Sequence, residues 1–409
     1  MTLDVPTIEN SGVAWPEGWR RVPLWALFER VKDVGHPGEE MLSVYRDYGV
    51  VKKASRDDNM NKTAENRNIY QLVDDRWLVV NRMKAWQGSV GVSEYRGIVS
   101  GHYICFRPRH KEHPRFLNYL LRSQPYVLEY QRISRGVRPN QMEVDNDELR
   151  SISIRLPPLE EQRRIANFLD GETRKIDAIL LKKIELLSLL DERIDGRILE
   201  YIGASRIVDY SDSANPVLPI RRLLSKVVRP AVPGSEVITA FRDGQVATRS
   251  SRRVDGYTLP SSAEVQGQYV EAGDVVVHGL DGFAGAIGMS EAAGNCSPVY
   301  HVCVPRKGGN SLFLGRLLRV LAVSGYLGLF AFSTRERAVD FRNWDLFGRI
   351  PVPDVPLLLQ EEIGEWIRFV RPLRILTERS NALAEERRQA LITAAVTGQI
   401  DVTTAGGVV

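Results

Sequence analysis

Two long runs of the 409-residue chain place apolar residues at steps of three and four. The first follows Leu156-Pro157-Pro158 and passes through Ile165, Phe168, Leu169, Ile176, Leu180, Ile184, Leu187, Leu190, Ile194 and Ile198. The second follows Pro351, Pro353 and Pro356 and passes through Ile363, Trp366, Ile367, Val370, Leu373, Leu376, Leu383, Leu391 and Ala394. This spacing predicts one apolar stripe along each of two helices. Prolines just ahead of each run suit a helix N-terminus, and Gly171 and Gly196 are the weak points of the first helix. Charged residues fill the positions between, as in Glu185, Asp191, Glu192 and Arg193, or Glu385, Glu386, Arg387 and Arg388. That is the pattern of a two-helix coiled coil. A helix packed on its own domain is the competing account, but about 40 residues at 1.5 Å each give roughly 60 Å, more than a small domain needs.

The rest of the chain is duplicated. Val79-Val80-Asn81-Arg82 runs from a strand-like start through Trp86 and Gly91 to Ser93. Roughly 197 residues later, far beyond the period of a solenoid repeat, Val276-Val277-His278-Gly279 runs through Phe283 and Gly288 to Ser290. On this register Gly97 falls on Gly294, Tyr103 on Tyr300 and Pro108 on Pro305, and Gln162, Ile165 and Phe168 fall near Gln360, Ile363 and Trp366. Between these anchors the halves differ widely, as expected if a scaffold is shared and its contacts are not. Short strands are predicted at 76–80, 103–107, 274–277 and 299–304, and a helix at 114–130 with a counterpart at 311–332. The expected fold class is α+β: two pseudo-symmetric α/β domains separated by two long antiparallel helices that form a coiled coil. The expected boundaries are 1–157, a helix over 158–204, 205–356, a helix over 357–400, and a tail over 401–409. A two-fold axis relating the halves would set the globules at opposite ends of a rod.

Composition narrows the function classes. Fifty-five Lys and Arg against 51 Asp and Glu give a formal net charge of +4, which fits contact with a polyanion without requiring it. Residues 1–10 carry Asp4 and Glu9 and no apolar core, so no signal peptide is expected. The most apolar stretch, 317–332, is broken by Arg319, Ser324 and Gly325, and reads as a buried helix rather than a membrane span. Cys105, Cys296 and Cys303 are odd in number and lack CxxC spacing, the usage of reduced core thiols in a cytoplasmic protein.

This repeat with these helices resembles the specificity subunits of Type I restriction-modification systems. Leu156-Pro157-Pro158-Leu159-Glu160-Glu161-Gln162-Arg163-Arg164-Ile165-Ala166 is similar to the start of that family's central helix. The run 387–400, from Arg387-Arg388-Gln389 to Gly398-Gln399-Ile400, is similar to its C-terminal helix. Residues 80–100 resemble its first target-recognition domain, and 244–253, 278–290 and 335–344 its second. The second helix departs from the first, because Leu357-Leu358-Leu359-Gln360 lacks the acidic pair before Gln. The resemblance implies a non-catalytic chain that binds an asymmetric, two-part site in double-stranded DNA. It also implies two modification subunits that methylate adenine with S-adenosylmethionine, and restriction subunits, where present, that cleave with ATP and Mg. No cofactor and no metal is then expected in this chain, nor a membrane, and the helix residues Ile165, Phe168, Ile363 and Trp366 are expected to meet the partners.

Base edges in the major groove are read by basic and amide side chains in loops. The candidates in the first half are Arg82, Lys84, Arg135, Arg138, Asn140 and Gln141. In the second half they are Arg249, Arg252, Arg253, His278, Arg335, Arg337 and Arg342. Arg suits guanine and phosphate, while Asn and Gln suit adenine. A solvated or ion-paired surface group is the competing account for each. Arg335, Glu336 and Arg337 beside Asp340 could form an internal salt-bridge cluster, although Arg135 and Arg138 have an equivalent place in the first half. The basic run 107–115 reads as an exposed loop before it reads as a phosphate contact. Gly279, Gly282, Gly285 and Gly288 recur every third residue but no P-loop lysine follows, so tight turns are expected, with close approach to DNA as the functional variant. His110 and His113 form an HxxH without further ligands nearby, which predicts no metal site. There is no Asn- or Asp-Pro-Pro-aromatic tetrapeptide and no Walker sequence. Two other functions stay open at this point: a stand-alone DNA methyltransferase or nuclease, and a coiled-coil adaptor that binds no DNA.

Overall fold

The apolar run at Val79 becomes the middle of a four-stranded antiparallel sheet. A computed structural model of the chain describes residues 14–55, 66–136, 142–203, 217–251, 267–330 and 340–402. They divide into two compact units, Met1–Leu181 with Ser380–Val409, and Lys182–Arg379.

In the first unit the sheet consists of β1 (Phe28–Val31), β2 (Leu78–Asn81), β3 (Val90–Val92) and β4 (Tyr103–Pro108), in the order β1-β4-β2-β3. Both faces of β2 are covered, which is why it reads as an unbroken apolar run. Side chains alternate across a strand, so Leu78 and Val80 enter the main core while Val79 packs into a second cluster with Leu42, Val44 and Val99. The main core is closed by α1 (Pro114–Leu121) and α2 (Gln124–Arg132), followed by the two-stranded β5 (Ser134–Arg135) and β6 (Glu143–Val144). One helix over 114–130 was expected here. Two form because Pro125 lacks an N–H and its ring would strike the carbonyl four residues earlier, so a second helix starts with proline in its first turn.

The first long helix, α3, covers Leu159–Ile202 without interruption at Gly171 or Gly196. The second unit then repeats the sheet as β7 (Leu224–Val227), β8 (Val275–His278), β9 (Ile287–Met289) and β10 (Tyr300–Pro305), in the order β7-β10-β8-β9. Three of its strands begin 197 residues after their counterparts, from 78 to 275, 90 to 287 and 103 to 300. Val275 and Val277 face one core and Val276 another, as in the first unit. Helix α4 (Ser311–Val323) lies where α1 does and ends well short of residue 332, with Gly325 at φ 85° just beyond it. Helix α5 (Leu357–Val396) closes the order and contains Pro372.

Each unit takes in part of both long helices. In the first, Ile165, Ala166 and Leu169 of α3 share the core with Ile392, Ala395 and Val396 of α5, and Arg388 Nε lies 2.9 Å from Asp177 Oδ1. In the second, Ile194 and Ile198 share the core with Ile363 and Val370. There Arg374 pairs with Asp191, the Arg193 guanidinium sits 5.0 Å from the Trp366 ring, and Arg197 lies 3.7 Å from Glu362. The partner number falls as the α3 number rises, so the helices run antiparallel within this unit. The apolar stripes therefore serve two ends: part of each is domain core, while Ile184, Leu376 and Leu383 are exposed.

A buried glutamine ties helix to globule in both units. Gln162 Oε1 accepts from the backbone N–H of His113 at 2.9 Å, and its Nε2 donates to the Pro157 carbonyl at 2.9 Å. Gln360 does the same with Asn310 N–H at 3.1 Å and the Val355 carbonyl at 2.7 Å. His113 and Asn310 are themselves the side-chain N-caps of α1 and α4. This explains the glutamine in the repeat and places His113 of the HxxH in a capping role.

The glycine series is a packing device with one turn residue in it. Gly285, at φ 96°, ends the short turn after β8, as Gly88 at φ 90° does after β2. At the other three positions a Cβ would collide with Val299 O at 2.5 Å (Gly279), the Phe341 ring at 3.1 Å (Gly282) or Gly244 O at 2.0 Å (Gly288). The close approaches are made by the protein itself rather than left open for DNA. All three cysteines are buried, and burial pushes the Cys105 and Cys296 thiols up to about 12 and Cys303 higher. Among the described residues no helix is long and apolar enough to cross a membrane.

Candidate nucleic-acid interface

In the first unit the turn after β2 meets the β5–β6 pair. Val144 N–H donates to the Arg82 carbonyl at 3.1 Å, which fixes Arg82 beside Glu143. The Arg82 guanidinium donates to one Glu143 oxygen through Nε at 3.0 Å and through a terminal nitrogen at 2.6 Å. Arg135 pairs with Glu148, and Arg132 lies 2.7 Å from Glu129 and 3.6 Å from Glu148. Lys84 is exposed on the same turn. Four cations are thus gathered at one edge, interleaved with acids. Arg138, Asn140 and Gln141 lie outside the described residues.

The second unit builds the same edge with other residues. Phe341 N–H donates to the Gly279 carbonyl at 2.8 Å, the counterpart of the Val144 bond. Asp340 stands where Glu143 does, 197 positions on, and both of its oxygens accept from Arg342, at 2.6 to 3.0 Å. The guanidinium holds the Asp340 carboxyl below the usual carboxylate range. Arg242 pairs with Asp281 at 2.9 Å. Arg249 opens a short turn after the strand Val246–Thr248 and donates its N–H to the Val237 carbonyl at 2.7 Å. Arg252, Arg253, Arg335 and Arg337 lie outside the described residues.

His278, a residue expected to contact a base, caps its own turn through Nδ1. Its Nδ1 accepts from the N–H groups of Leu280 and Asp281 at 3.1 and 3.0 Å, and its ring stands edge-on to Tyr300 at 4.5 Å. Burial lowers its pKa, which favours the neutral form that can accept those bonds. Asn81 occupies the same place in the first unit, and its Oδ1 accepts from Met83 N–H at 3.1 Å. Both side chains cap the turn.

Other basic groups are claimed by structure. Arg107 and Arg109 both pair with Glu29 at 2.6 Å, and these bonds hold the Glu29 carboxyl below its ordinary value. Arg115 pairs with Asp170. Arg107 and Arg109 share one carboxylate, so these pairs offset the charge of the run 107–115 only in part. In the second unit Arg316 meets Asp195 at 2.5 Å and Asp191 at 3.2 Å, and Arg371 meets Glu291 at 3.3 Å. These bonds bind the sheet and α4 to the long helices. Sequence reasoning named the arginines and, among the acids, only Asp340 as a possible salt-bridge member; it missed Glu143, Glu148 and Asp281, along with Arg132 and Arg242. The available signal was a carboxylate recurring 197 residues apart, at Glu143 and Asp340.

Of the expected partner contacts, Ile165 is 2% exposed and Ile363 1%, while Phe168 and Trp366 pack against the same cores. Ile165 and Ile363 are therefore not available to a partner, because each anchors its helix to its own globule.

His110 is expected to make the first unit acid-sensitive. It packs against Phe28 at 4.6 Å and its Nδ1 accepts from Glu112 N–H at 3.0 Å. Burial, helped by Arg76, lowers its pKa to about 4 from the model-compound 6.5. Between those values the unfolded chain binds the extra proton, so stability is full above about pH 6.5 and is lost as the pH falls toward 4. For a half-buried ring the loss is about 2 kcal/mol. Thermal midpoints at pH 7.5 and 5 are expected to show a smaller drop for His110→Asn than for the wild type. An equal drop in both would assign the acid sensitivity elsewhere.

The sequence of the first unit also matches a family: residues 22–187 fit the model for the Type I restriction modification DNA specificity domain. The fold of the chain matches a solved chain from work on the assembly and conformational transition of a type I R-M system, at 13% identity and TM-score 0.57, over 95% of this chain and 100% of that one. Two further solved chains are similar. The HsdS subunit of Thermoanaerobacter tengcongensis shares 16% identity at TM-score 0.40, over 95% of this chain and 99% of that one. The Type I S subunit of M. genitalium shares 14% at TM-score 0.47, over 94% and 97%. No curated protein matches the sequence. The matched residues cover the first sheet, α1, α2, the β5–β6 pair and about the first two thirds of α3. The second unit has the same topology with a different charged edge.

Proposed function

We propose that the chain is the DNA sequence-recognition subunit of a Type I restriction-modification complex, with one unit reading each half of an asymmetric two-part target. One observation carries this. Two units of one topology present, at the same edge, different ionic groups: Arg82 with Glu143 in one, Arg342 with Asp340 in the other. A shared scaffold with unlike reading edges implies unlike half-sites. Major-groove patterns distinguish all four base pairs, and half-sites one helical turn apart lie roughly 34–36 Å from each other on one face of the duplex.

Methylation and cleavage belong to partners in this proposal. Two modification subunits bind S-adenosylmethionine and methylate adenine, and restriction subunits use ATP and Mg where a system has them; this chain binds none of these. The helix positions best suited to meet partners are the exposed apolar ones, Ile184, Leu186, Leu189, Phe369 and Leu376, in place of Ile165 and Ile363.

The test is single-molecule sequencing of DNA methylated by this chain co-expressed with its modification subunit. Methyladenine at one asymmetric, two-part motif, lost when this chain is omitted, is the expected result. A stable complex that methylates no such motif would refute the proposal.

A further inference from the structure

The two ion pairs at the reading edges are alike in place and unlike in construction. Glu143 and Asp340 occupy equivalent positions, each next to the residue whose N–H bonds the turn after the central strand. Their arginines do not correspond. Arg82 comes from the turn itself, where the second unit has Gly279, whereas Arg342 comes from two residues beyond Asp340, where the first unit has Asp145. Each unit therefore supplies a guanidinium to the same carboxylate by a different route. Duplication alone would have carried the arginine along with the acid. Arriving at one pairing by two routes is what a shared task requires.

The pairs are also open to solvent. Arg82 and Glu143 are 46% and 42% exposed, and Arg342 and Asp340 are 57% and 27%. An ion pair this exposed contributes little to stability, so packing does not account for it. Chemically it presents donors beside an acceptor. A G·C base pair offers the reverse in the major groove: the guanine N7 and O6 acceptors stand beside the cytosine N4 amino donor. An A·T pair sets the adenine N6 donor between the N7 and thymine O4 acceptors, so it cannot accept two adjacent guanidinium donors.

From this we infer that each ion pair reads one G·C base pair, Arg82 with Glu143 in one half-site and Arg342 with Asp340 in the other. The arginine donates to guanine and the carboxylate accepts from the paired cytosine. The carboxylate also holds the guanidinium against stray phosphates. A phosphate could take the arginine only by leaving a carboxylate unpaired beside a polyanion, which is a penalty against wrong sites. Glu143 and Asp340 are thus specificity-determining residues. The inference rests on the DNA-recognition reading above.

The experiment sequences methylated DNA from the full chain with its modification subunit, as wild type, E143Q and D340N. The wild type is expected to require a G·C pair in each half-site. E143Q is expected to relax one such position in one half-site, with discrimination there falling about tenfold or more, and D340N to relax one in the other half-site. Glu143→Asp and Asp340→Glu, which keep the carboxylate, are expected to keep the requirement. A second measurement needs no methylation: binding of the full chain to a 30-base-pair duplex lacking the motif, across 50–200 mM NaCl. Freeing an arginine should steepen the slope of log K against log salt by about 1, and adding R82Q to E143Q should remove that increase. A motif unchanged in both variants, relaxation at an A·T position, or relaxation of both half-sites by one variant would overturn the inference while leaving DNA recognition in place. A wild type with no two-part motif would overturn both.

Discussion

Gly288→Ala is expected to destabilise the second unit by about 3 kcal/mol or more, a large share of the roughly 5–15 kcal/mol that holds a typical domain together. Gly288 sits at the centre of β9, opposite Val276, with backbone on both sides of it. A Cβ there would lie 2.0 Å from the Gly244 carbonyl oxygen and 3.1 Å from its carbon. On the α4 side, a Cβ at Gly315 would lie 3.0 Å from the Gly288 Cα. The strand cannot retreat from one neighbour without pressing on the other, and no rotamer change relieves a clash with backbone. Gly91 is held in the same way in the first unit, where a Cβ would meet Gly49 Cα and Val50 N at 2.9 Å. Gly171→Ala is the control: it lies within α3, nothing is within 4 Å of its would-be Cβ, and alanine there should add about 0.5–1 kcal/mol. Urea midpoints of the full chain decide the matter. A Gly288→Ala chain with the wild-type midpoint would mean that the loop carrying Gly244 is not packed as described.

The second large effect is at the helix-to-globule ties. Gln360→Leu keeps the volume and removes both hydrogen-bonding ends, leaving the Asn310 N–H and the Val355 carbonyl without their partner at a residue that is 3% exposed. An unsatisfied buried group costs about 1–3 kcal/mol, so the expected loss is about 2–4 kcal/mol. Gln162→Leu should cost at least as much, because Gln162 Nε2 also donates to Glu112 at 2.6 Å. Each substitution should lower the midpoint of the unit that carries it, read by urea titration followed by native-state hydrogen exchange at α1 and α4. An unchanged Gln360→Leu midpoint would show that this bond pair contributes nothing to holding α5 on its globule.

Much of this architecture was legible before any coordinates. The long helices were found within a few residues of their ends because apolar steps of three and four, with proline in front, encode a helix locally. The repeat was legible because the strands through Val79 and Val276 are covered on both faces, which constrains residue type at the same places in each copy. Pro125 marks the split of 114–130 into α1 and α2, although the apolar pattern continues across it. At the reading edge, the cations Arg82, Arg135 and Arg342 were named from residue type alone. Of their carboxylates only Asp340 stood out, since an acid is as common on a solvated surface as in a pair. His278 carries a related ambiguity: a histidine that accepts two backbone N–H groups has the same letter as one that contacts a base.

The sequence by itself determined the kinds of elements, their order, the duplication and the basic positions, because short windows of residue type and period carry that information. Only the tertiary structure decided which charges are spent and which apolar positions are core. Arg82 meets Glu143 across 61 residues and Arg388 meets Asp177 across 211. Ile165 is buried while Ile184 of the same stripe is open. Pairing and burial depend on what the chain brings alongside from far away, and a helical period is the same whichever neighbour covers it.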